Sequence, residues 1–525
     1  MDEKETLMYE KGQTIRKRAK NKIFGVIYSR TAVVIILLLL QIELMLFSLT
    51  YLENYTNYLY GVFVILSVVS VIYIMNEKGT PEFKMTWLLF ILLVPVVGVG
   101  FYIFTKTEFG THFLGKRLED LRHETEPYME QNEGIVQTMR SSRLANVNLS
   151  HFLYQQVGFP TYGNTEATYF PLGDDKFPAL LAELEKAEKF IFMEYFIIEK
   201  GEIWNSIHEV LKAKVKDGIK VRLMYDDLGT ISRLPSNFYK KLRKEGIECV
   251  KFNEYSQFAS ALYNNRDHRK ITVIDGKVGY MGGINIADEY ANINCSYGFW
   301  KDSAVKLVGD GVNGLTCILL QLYGIQTGNI ENYSDYFVKN NEKAQGIVCP
   351  FGDGPKYFYG EHIGENLYIN LISQAKKTIF ITTPYLIIDS ELRDALINAS
   401  NRGVDVRIVT PHIPDKKVIF SITRSHYKIL QDSGIKIFEF KKGFIHSKQI
   451  LIDNELSIVG TINLDYRSMI HHYECGVLMY NTSCIKDIEK DFENIFENSI
   501  DMKDFKQMWI AKIFCALIKL FTPLF

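Results

Sequence analysis

Apolar residues are crowded into the first fifth of the chain, in three nearly continuous stretches at 31–50, 58–75 and 86–104. Each stretch has about the 18–20 residues that a helix needs to cross the hydrocarbon core of a bilayer. We therefore predict transmembrane helices over 31–105. Buried helices of a soluble domain are the alternative, but three such stretches in succession exceed what one soluble core usually contains. The third stretch contains Pro95 and two glycines, which predicts a kink or a tight hairpin there.

Charged residues around the apolar stretches predict the orientation of the chain in a membrane. Residues 1–30 form a basic tail, the loop 52–57 has no lysine or arginine, and the next loop contains Lys78 and Lys84. The positive-inside rule then places the N-terminus in the cytoplasm. Three crossings would place everything after residue 104 outside, whereas two crossings, with one stretch in the interface, would keep it inside. The pattern leaves both topologies open.

From about residue 146 onward, short β-branched and aromatic runs alternate with amphipathic helical patterns, which predicts an α/β fold of parallel βαβ units. The order strand, helix, strand, helix, strand occurs twice, at 190–198, 202–216, 220–225, 237–245 and 247–252, and at 378–386, 390–402, 404–410, 424–433 and 435–440. A period this long indicates duplicated domains, because solenoid repeats have periods of about 20–50 residues.

We place the first repeat at 146–335 and the second at 345–500. The stretch 106–145 is expected to be a linker. The tail 501–525 ends in an apolar, amphipathic pattern with two lysines on one helical face. Two interpretations of this tail remain open: a helix that lies on the membrane surface beside anionic lipid, or a core helix that packs on the domains.

One chemical motif occurs once in each repeat, within 263–290 and 441–468. The segments HRKITVIDGKVGYMGGIN and HSKQILIDNELSIVGTIN both contain His-x-Lys-x4-Asp, followed at matching distances by a glycine and an asparagine. A single triplet of this kind is a weak signal, whereas two copies in register are a strong one. The candidate site residues are His268, Lys270, Asp275 and Asn285 in the first repeat and His446, Lys448, Asp453 and Asn463 in the second.

The spacing within the motif has a physical interpretation. The segment from histidine to aspartate is β-branched and alternating, which predicts a strand in which residues i and i+2 share a face. The histidine and the lysine then form a pocket for an anion, and the lysine favours the neutral, nucleophilic imidazole. We interpret the aspartate, at an odd offset, as a structural support rather than a proton carrier. Two facing half-sites would surround one phosphate with histidines, lysines and asparagines.

Composition narrows the classes of function. The chain has 60 Lys and Arg against 61 Asp and Glu, a net charge of -1, which argues against a nucleic-acid partner. Its seven cysteines include no Cys-x-x-Cys pair, and no carboxylate or Cys/His ligand cluster flanks the motifs. We therefore expect no metal and no cofactor, because the lysines can supply the charge that Mg²⁺ supplies elsewhere.

The paired motifs resemble those of the phospholipase D superfamily, and more narrowly the chain is similar to bacterial cardiolipin synthases from about residue 84 to 525. The phrases that carry the resemblance are TWLLFILLVPVVGVGFYIF, MEYFI, YDDLGT, WKDSAVKLVGDGV, TTPYLI and LFTPLF. The chain departs from the family at Thr461, where serine is usual, and at His472, where asparagine is usual. The family also usually shows two N-terminal apolar stretches rather than three.

The resemblance implies two phospholipase D-like catalytic domains packed as a pseudo-dimer, preceded by transmembrane helices in a bacterial cell membrane. It implies transfer of a phosphatidyl group from one phosphatidylglycerol to another through a phosphohistidine, with membrane lipid as the partner. We assign the nucleophile to His268 and the acid, then base, to His446, although the symmetry leaves the reverse open. Asp302 and Glu474 lie 34 and 28 residues beyond the histidines of their own repeats. They are our candidates to orient those rings, and ordinary salt bridges are the alternative.

Other functions remain open at this level. A membrane-bound phospholipase D that hydrolyses or transphosphatidylates other phospholipids would begin with the same intermediate. A nuclease of the superfamily fits the net charge of -1 and a membrane anchor poorly. A membrane scaffold with a dead active site is disfavoured because both triplets are intact.

Overall fold

The computed structural model describes residues 43, 56–77, 79–106, 111–141, 147–254, 265–329, 332–339 and 344–519. The basic tail and the first apolar stretch, apart from residue 43, lie outside these residues. The chain divides into two compact units, one dominated by Met1–Gly110 and one that contains both repeats. The division therefore follows the change in hydrophobic pattern at about residue 105.

The N-terminal unit contains three described helices, α1 (Thr56–Asn76), α2 (Pro81–Leu93) and α3 (Pro95–Lys106). The stretch 86–104 is not one continuous helix, because the chain turns back at Val94. The rings of Trp87 and Tyr102 lie 5.2 Å apart between centroids, whereas a straight helix would separate these residues by about 22 Å. Pro95 lacks the N–H that a continuing helix needs, and the predicted hairpin is confirmed. Within the part of the chain that the structure describes, no helix is long and apolar enough to cross a membrane.

The first repeat is built on a mixed sheet of seven strands in the order β1-β8-β6-β5-β2-β3-β4. Its strands, together with the separate β7, are β1 (Thr165–Phe170), β2 (Phe190–Tyr195), β3 (Lys220–Asp226), β4 (Glu248–Phe252), β5 (Lys270–Ile274), β6 (Val278–Gly282), β7 (Phe299–Lys301) and β8 (Ala304–Gly309). Strands β2, β3 and β4 are parallel, and the other pairs in the sheet are antiparallel.

The second repeat is built on a mixed sheet of eight strands in the order β19-β13-β12-β10-β15-β16-β18-β9. The strands of this half are β9 (Ile347–Asp353), β10 (Thr378–Thr382), β11 (Leu386–Ile387), β12 (Asp405–Pro411), β13 (Lys436–Phe440), β14 (Gly443–Ile445), β15 (Gln449–Ile452), β16 (Leu456–Gly460), β17 (Leu464–Asp465), β18 (Glu474–Tyr480) and β19 (Ser499–Asp501). Strands β10, β12 and β13 are parallel. Outside the sheet, β11 pairs with β17 and β14 pairs with β7.

The parallel βαβ prediction is confirmed for three strands of each sheet, and it did not include the motif strands. Each motif strand turns back as an antiparallel hairpin, β5 into β6 and β15 into β16. Two successive residues at positive φ make each turn, Asp275-Gly276 in the first repeat and Asp453-Asn454 in the second. Asp-Gly between alternating apolar residues is a strong hairpin signal, and the long-range βαβ pattern concealed it.

Helices cover both sheets. In the first half they are α4 (Thr111–Thr125), α5 (Glu133–Ser141), α6 (Val147–Val157), α7 (Gly173–Glu185), α8 (Glu202–Lys216), α9 (Asp227–Thr230), α10 (Phe238–Lys244) and α11 (Val312–Thr327). In the second half they are α12 (Lys356–Tyr359), α13 (Ile363–Gln374), α14 (Ser390–Asn401), α15 (Lys417–Ser425), α16 (Tyr427–Gln431), α17 (Ile485–Glu497) and α18 (Trp509–Lys519). The helix expected at 424–433 is thus two short helices that meet at His426.

The segment 106–145 is not the linker that we expected. Its helix α4 buries Leu118 and Leu121 in the same core as α11, and the Arg117 guanidinium donates to Ile325 O at 2.9 Å. Two leucines three residues apart place an apolar stripe on an otherwise charged helix, which is enough to dock it. The charged residues of the stretch concealed this stripe in the sequence.

The two sheets share one hydrophobic core. Helix α11 is buried along almost its whole length and packs on β5 and β6 of the first sheet and on β9 of the second. Two short parallel pairings also cross between the repeats: β7 with β14, and Asp267 with Tyr473. These crossings hold the ends of the two motif strands together.

Candidate active site

The two motif histidines lie at the junction of the repeats, just before the strands β5 and β15. The spacing had predicted that both histidines belong to those strands, but they lie outside them. Their backbone amides are instead bound across the junction. The N–H of His268 donates to Tyr473 O at 3.0 Å, and the N–H of His446 donates to Lys301 O at 2.7 Å. Both histidines are more than nine-tenths buried.

Each histidine bonds a carboxylate of the other repeat. Nδ1 of His268 donates to the two oxygens of Glu474 at 3.0 and 2.9 Å. Nδ1 of His446 donates to Oδ2 of Asp302 at 2.6 Å. The structure therefore brings both candidate carboxylates to the histidines, but the pairing that we expected within each repeat is wrong. The pairs are crossed.

Matching backbone offsets explain the crossed pairs. The residue before Asp302 pairs with the residue before His446, at the end of the β7–β14 pairing. The residue before Glu474 pairs in the same way with the residue before His268. Equal offsets of this kind mean that the two repeats are related by approximate twofold symmetry, like the subunits of an isologous dimer. In such a dimer, if residue i of one half contacts residue j of the other, then j of the first half also contacts i of the second. A crossed pair on one side therefore requires one on the other.

Burial keeps both imidazoles neutral. Desolvation is the largest influence, and it lowers the pKa of His268 to about 3 and that of His446 to about 4 against the opposing effect of the carboxylates. Burial alone would raise the pKa of Asp302 and Glu474, but their cationic and hydrogen-bonding partners outweigh it and lower both. The neutral imidazole that we expected therefore has burial as its main cause, and the neighbouring lysine is a smaller one.

The motif lysines lie behind the histidines. The ammonium group of Lys270 donates to the carbonyl of His268, and that of Lys448 donates to the carbonyl of His446. Burial lowers the pKa of Lys270 to about 8 and that of Lys448 to about 7. Repulsion by Lys270 adds to the lowering at Lys448, so the two half-sites are close enough to interact. Neither lysine lines the cavity between the repeats.

The motif aspartates support the backbone at the far end of the motif strands. Asp275 accepts hydrogen bonds from the amides of 188–190 at 2.7–2.8 Å. Asp453 accepts from the amides of 376–378 at 2.6–2.9 Å. These contacts anchor the starts of β2 and β10. These contacts agree with our interpretation of both aspartates as structural supports.

The motif asparagines both line the cavity. Nδ2 of Asn285 donates to the Tyr290 hydroxyl at 2.7 Å, and Nδ2 of Asn463 donates to Ser468 Oγ at 3.1 Å. An amide nitrogen carries two hydrogens. Each asparagine therefore has a second N–H for an anion in the cavity.

The residue after the motif glycine lies against the carboxylate of its own repeat, and its side chain suits that contact. In the first repeat it is Gly283, where a Cβ would lie 2.1 Å from Oδ1 of Asp302. In the second repeat it is Thr461, whose hydroxyl donates to Glu474. The threonine thus uses the hydroxyl that it shares with the serine usual in the family.

A third histidine reaches the site. Nδ1 of His472 lies 3.5 Å from Oε1 of Glu474, and its ring centroid lies 5.4 Å from that of His268. Among the described residues, these three form the one group of potential metal ligands, with donor atoms within 4.8 Å of one another. Our expectation of no ligand cluster beside the motifs is corrected here, because the fold joins residues about 200 positions apart.

A cavity of 520 Å³ opens between the repeats beside both histidines. Its apolar wall consists of Phe196, Ile197, Tyr290, Tyr297, Trp300, Tyr385, Ile387, Ile419, Ile422, Phe444 and Tyr466. Cationic and acidic side chains are distributed among them, namely Arg233, Lys416, Arg467, Glu289, Asp415 and Asp465. An apolar wall with a few convergent polar groups suits an amphipathic ligand. Sequence reasoning did not single out these three cations, and two of them, Arg233 and Lys416, lie outside both motifs.

Comparison with protein families gives two matches. The family described as "Cardiolipin synthase, PLD-like domain" matches 180–308 and 368–496, and the family described as "Phospholipase_D-nuclease N-terminal" matches 62–106. The first family thus matches twice, and each match contains one motif. The two repeats are phospholipase D-like domains.

Individual relatives match most of the chain. The cardiolipin synthase of Halalkalibacterium halodurans is 32% identical over 486 residues, which cover 89% of this chain and 95% of that protein. That of Geobacillus kaustophilus is 33% identical over 476 residues and covers 89% and 94%. The crystal structure of a phosphatidylserine synthase from Haemophilus influenzae has a TM-score of 0.52 and 14% identity over 68% of this chain and 93% of that one, which indicates a shared fold. On its two domains and these relatives, the chain belongs to the cardiolipin synthase family of phospholipase D-like proteins.

Proposed function

We propose that the protein transfers a phosphatidyl group from one phosphatidylglycerol to another, which gives cardiolipin and glycerol. The observation that carries this proposal is the pair of buried, neutral histidines beside one cavity, each bound to a carboxylate of the other repeat. Two facing histidines suit a two-step transfer, in which one attacks and the other moves the proton. The names of the relatives, at 32–33% identity over most of the chain, support the same activity.

In the first step, Nε2 of His268 attacks phosphorus. Glu474 accepts the Nδ1 proton of that ring, so the free lone pair is on Nε2. The P–N bond forms as the bond from phosphorus to the glycerol oxygen breaks. His446 gives a proton to that oxygen, and Asp302 stabilises the imidazolium before the transfer.

In the second step, the reaction runs in the opposite direction with a different alcohol. The hydroxyl of a second phosphatidylglycerol gives its proton to His446 and attacks phosphorus, and the P–N bond breaks. His268 leaves as the neutral imidazole from which it began. Splitting the transfer in two lets the enzyme choose the second alcohol after the first has left.

The first step needs a proton on His446, whose pKa burial lowers to about 4. A bound phosphodiester anion raises the pKa of a neighbouring histidine, because the opposite charge favours the imidazolium. Substrate binding therefore takes up the proton that the leaving glycerol later receives. Both histidines therefore stay neutral until a lipid headgroup binds.

The C-terminal helix suits a lipid substrate. One face of α18 packs on α15, which borders the cavity, and there Cys515 Sγ donates to Ser421 O at 3.3 Å. The other face exposes the apolar side chains Trp509, Ile510, Ile513, Phe514 and Leu517. We expected either a membrane-surface helix or a packed helix, and α18 has one face for each. We propose that the exposed face lies in the membrane interface beside the cavity.

The test is the product formed from labelled phosphatidylglycerol in vesicles with the full-length protein. We expect cardiolipin and free glycerol, and we expect His268→Asn and His446→Asn to abolish both. The matched control is His208→Asn, since His208 also faces a glutamate, at 2.6 Å, but on the surface. Phosphatidic acid as the main product would instead indicate a hydrolytic phospholipase D, and no lipid product would overturn the proposal.

A further inference from the structure

His472 is a buried histidine beside His268 in the candidate active site. It is 8% exposed, and both of its ring nitrogens are buried without a hydrogen-bond partner among the described residues. Its Nδ1 lies 3.5 Å from Oε1 of Glu474. Buried polar groups are normally paired, and an unpaired one calls for an explanation. A ligand that binds through these nitrogens would provide one.

The geometry around His472 is close to that of a metal site. Donor atoms of a tetrahedral zinc site lie about 3.4 Å apart, given bonds of about 2.0–2.2 Å. Two of the three separations here are already near this value: Oε1 of Glu474 lies 3.0 Å from Nδ1 of His268 and 3.5 Å from Nδ1 of His472. The third lies within 4.8 Å, so a rotation of the His472 ring would close the set.

We propose that His268, His472 and Glu474 form an inhibitory site for a zinc-like divalent cation. Two imidazoles and a carboxylate are ligands that suit Zn²⁺ rather than Mg²⁺. The inhibition rests on the proposed function, because it acts on the attacking histidine. The cation takes the Nδ1 lone pair of His268, and the single ring proton moves to Nε2. The ring then has no lone pair to attack phosphorus, and Glu474 no longer holds it.

The other half of the active site is an internal control. The residue two positions before Glu474 is His472, whereas the residue two positions before Asp302 is Trp300. Each of these rings lies 5.4 Å from the catalytic histidine that it faces. An indole nitrogen only donates and cannot bind a cation. The pseudo-symmetric positions therefore offer one metal site, on the His268 side.

Binding is measured first, on the full-length protein in detergent without substrate. Titration with zinc chloride in a calorimeter, and with cobalt chloride by absorption, should give one ion per chain. His472→Asn should weaken binding by about tenfold or more, since even a supporting contact costs that much. His412→Asn is the matched control, because His412 also lies 2.8 Å from a buried glutamate but does not line the cavity. Equal binding by His472→Asn and the unaltered protein would overturn the site.

Inhibition is measured second, with phosphatidylglycerol vesicles. Zinc should reduce the rate of the unaltered protein, EDTA should restore it, and the zinc concentration for half inhibition should rise about tenfold in His472→Asn, relative to the zinc-free rate of that variant. Stimulation by zinc would overturn the inhibitory role. If the protein makes no lipid product at all, the proposed function fails, whereas the binding experiment still decides whether the metal site exists.

Discussion

Asp302 and Glu474 provide a direct test of the crossed active site, because each should act on the histidine of the other repeat. Asp302→Asn keeps the shape of the side chain and removes its charge. It replaces the acceptor that lies 2.6 Å from Nδ1 of His446. An amide can also turn its NH₂ group toward the ring and hold the wrong tautomer. The variant should therefore fail in proton transfer and fold normally.

The size of the defect follows from the contact that is lost. A hydrogen bond to a charged partner contributes about 1.5–3 kcal/mol, which corresponds to a loss of about 10- to 150-fold in rate. The pKa of His446, which burial lowers to about 4, already disfavours the imidazolium. Without Asp302 this pKa falls further. We therefore expect the loss to lie at or above the upper end of that range.

Rapid-quench labelling separates the two histidines. With a nitrophenyl phosphodiester, the leaving group needs no proton, so general acid help matters little. His446→Ala and Asp302→Asn should then still accumulate an acid-labile phosphoenzyme. His268→Ala should form none, and Glu474→Gln should form it much more slowly, because the attacking ring is no longer oriented.

The pairing is judged by which variants behave alike. Crossed pairs require Asp302→Asn to resemble His446→Ala, whichever histidine is the nucleophile. If Asp302→Asn resembles His268→Ala instead, the reasoning from the crossed contacts is wrong. Asp491→Asn is the matched control, since Asp491 is also buried and its carboxylate accepts a hydrogen bond, from Lys301 at 2.8 Å. This variant should lower the stability of the protein, but its labelling should resemble neither that of His268→Ala nor that of His446→Ala.

Three further predictions follow from the same contacts. Lys270→Ala should lower turnover by about 10²–10³-fold, because a preorganised charge is lost, and steady-state kinetics that show less than a tenfold loss would contradict this role. Tungstate, a phosphate mimic, should bind more tightly, by at most about tenfold, as pH falls from 6 to 5, where both motif lysines are already protonated, because the anion raises the lowered pKa of His446 and one proton is taken up. Calorimetry in buffers of different ionisation enthalpy counts that proton, and zero uptake would refute the protonation scheme. Trp509, the exposed one among the four tryptophans, should shift its fluorescence to shorter wavelength on anionic vesicles, and Phe514→Glu should reduce that shift.

The sequence alone indicated the family and the local elements of this protein. Two triplets in register identified the motif residues, and the alternation of strands and helices located the parallel strands of both sheets within a few residues. The helix predicted at 202–216, for example, is α8 (Glu202–Lys216) in the structure. Such features repeat over short distances, because side-chain periodicity and turn chemistry act between near neighbours in the chain.

Average charge and hydropathy were poor predictors of local structure where only a few residues decided it. The apolar stretch 86–104 folds back at Val94. Pro95 and the two glycines of this stretch had predicted that turn. The charged stretch 106–145 docks through a stripe that contains Leu118 and Leu121. A composition average conceals such a stripe, because only the face of a helix that meets the core has to be apolar.

Tertiary structure alone decided which groups meet in the active site. Spacing assigned Asp302 and Glu474 to the histidines of their own repeats, and the backbone pairings between the repeats exchanged them. The same junction placed His472 beside His268, about 200 residues away in the chain. The near-neutral charge of the chain gave no hint of either contact. A sequence pattern records distance along the chain, whereas hydrogen bonds and burial depend on distance in space. At the centre of a duplicated fold with twofold symmetry, residues that are far apart in the chain lie close together in space.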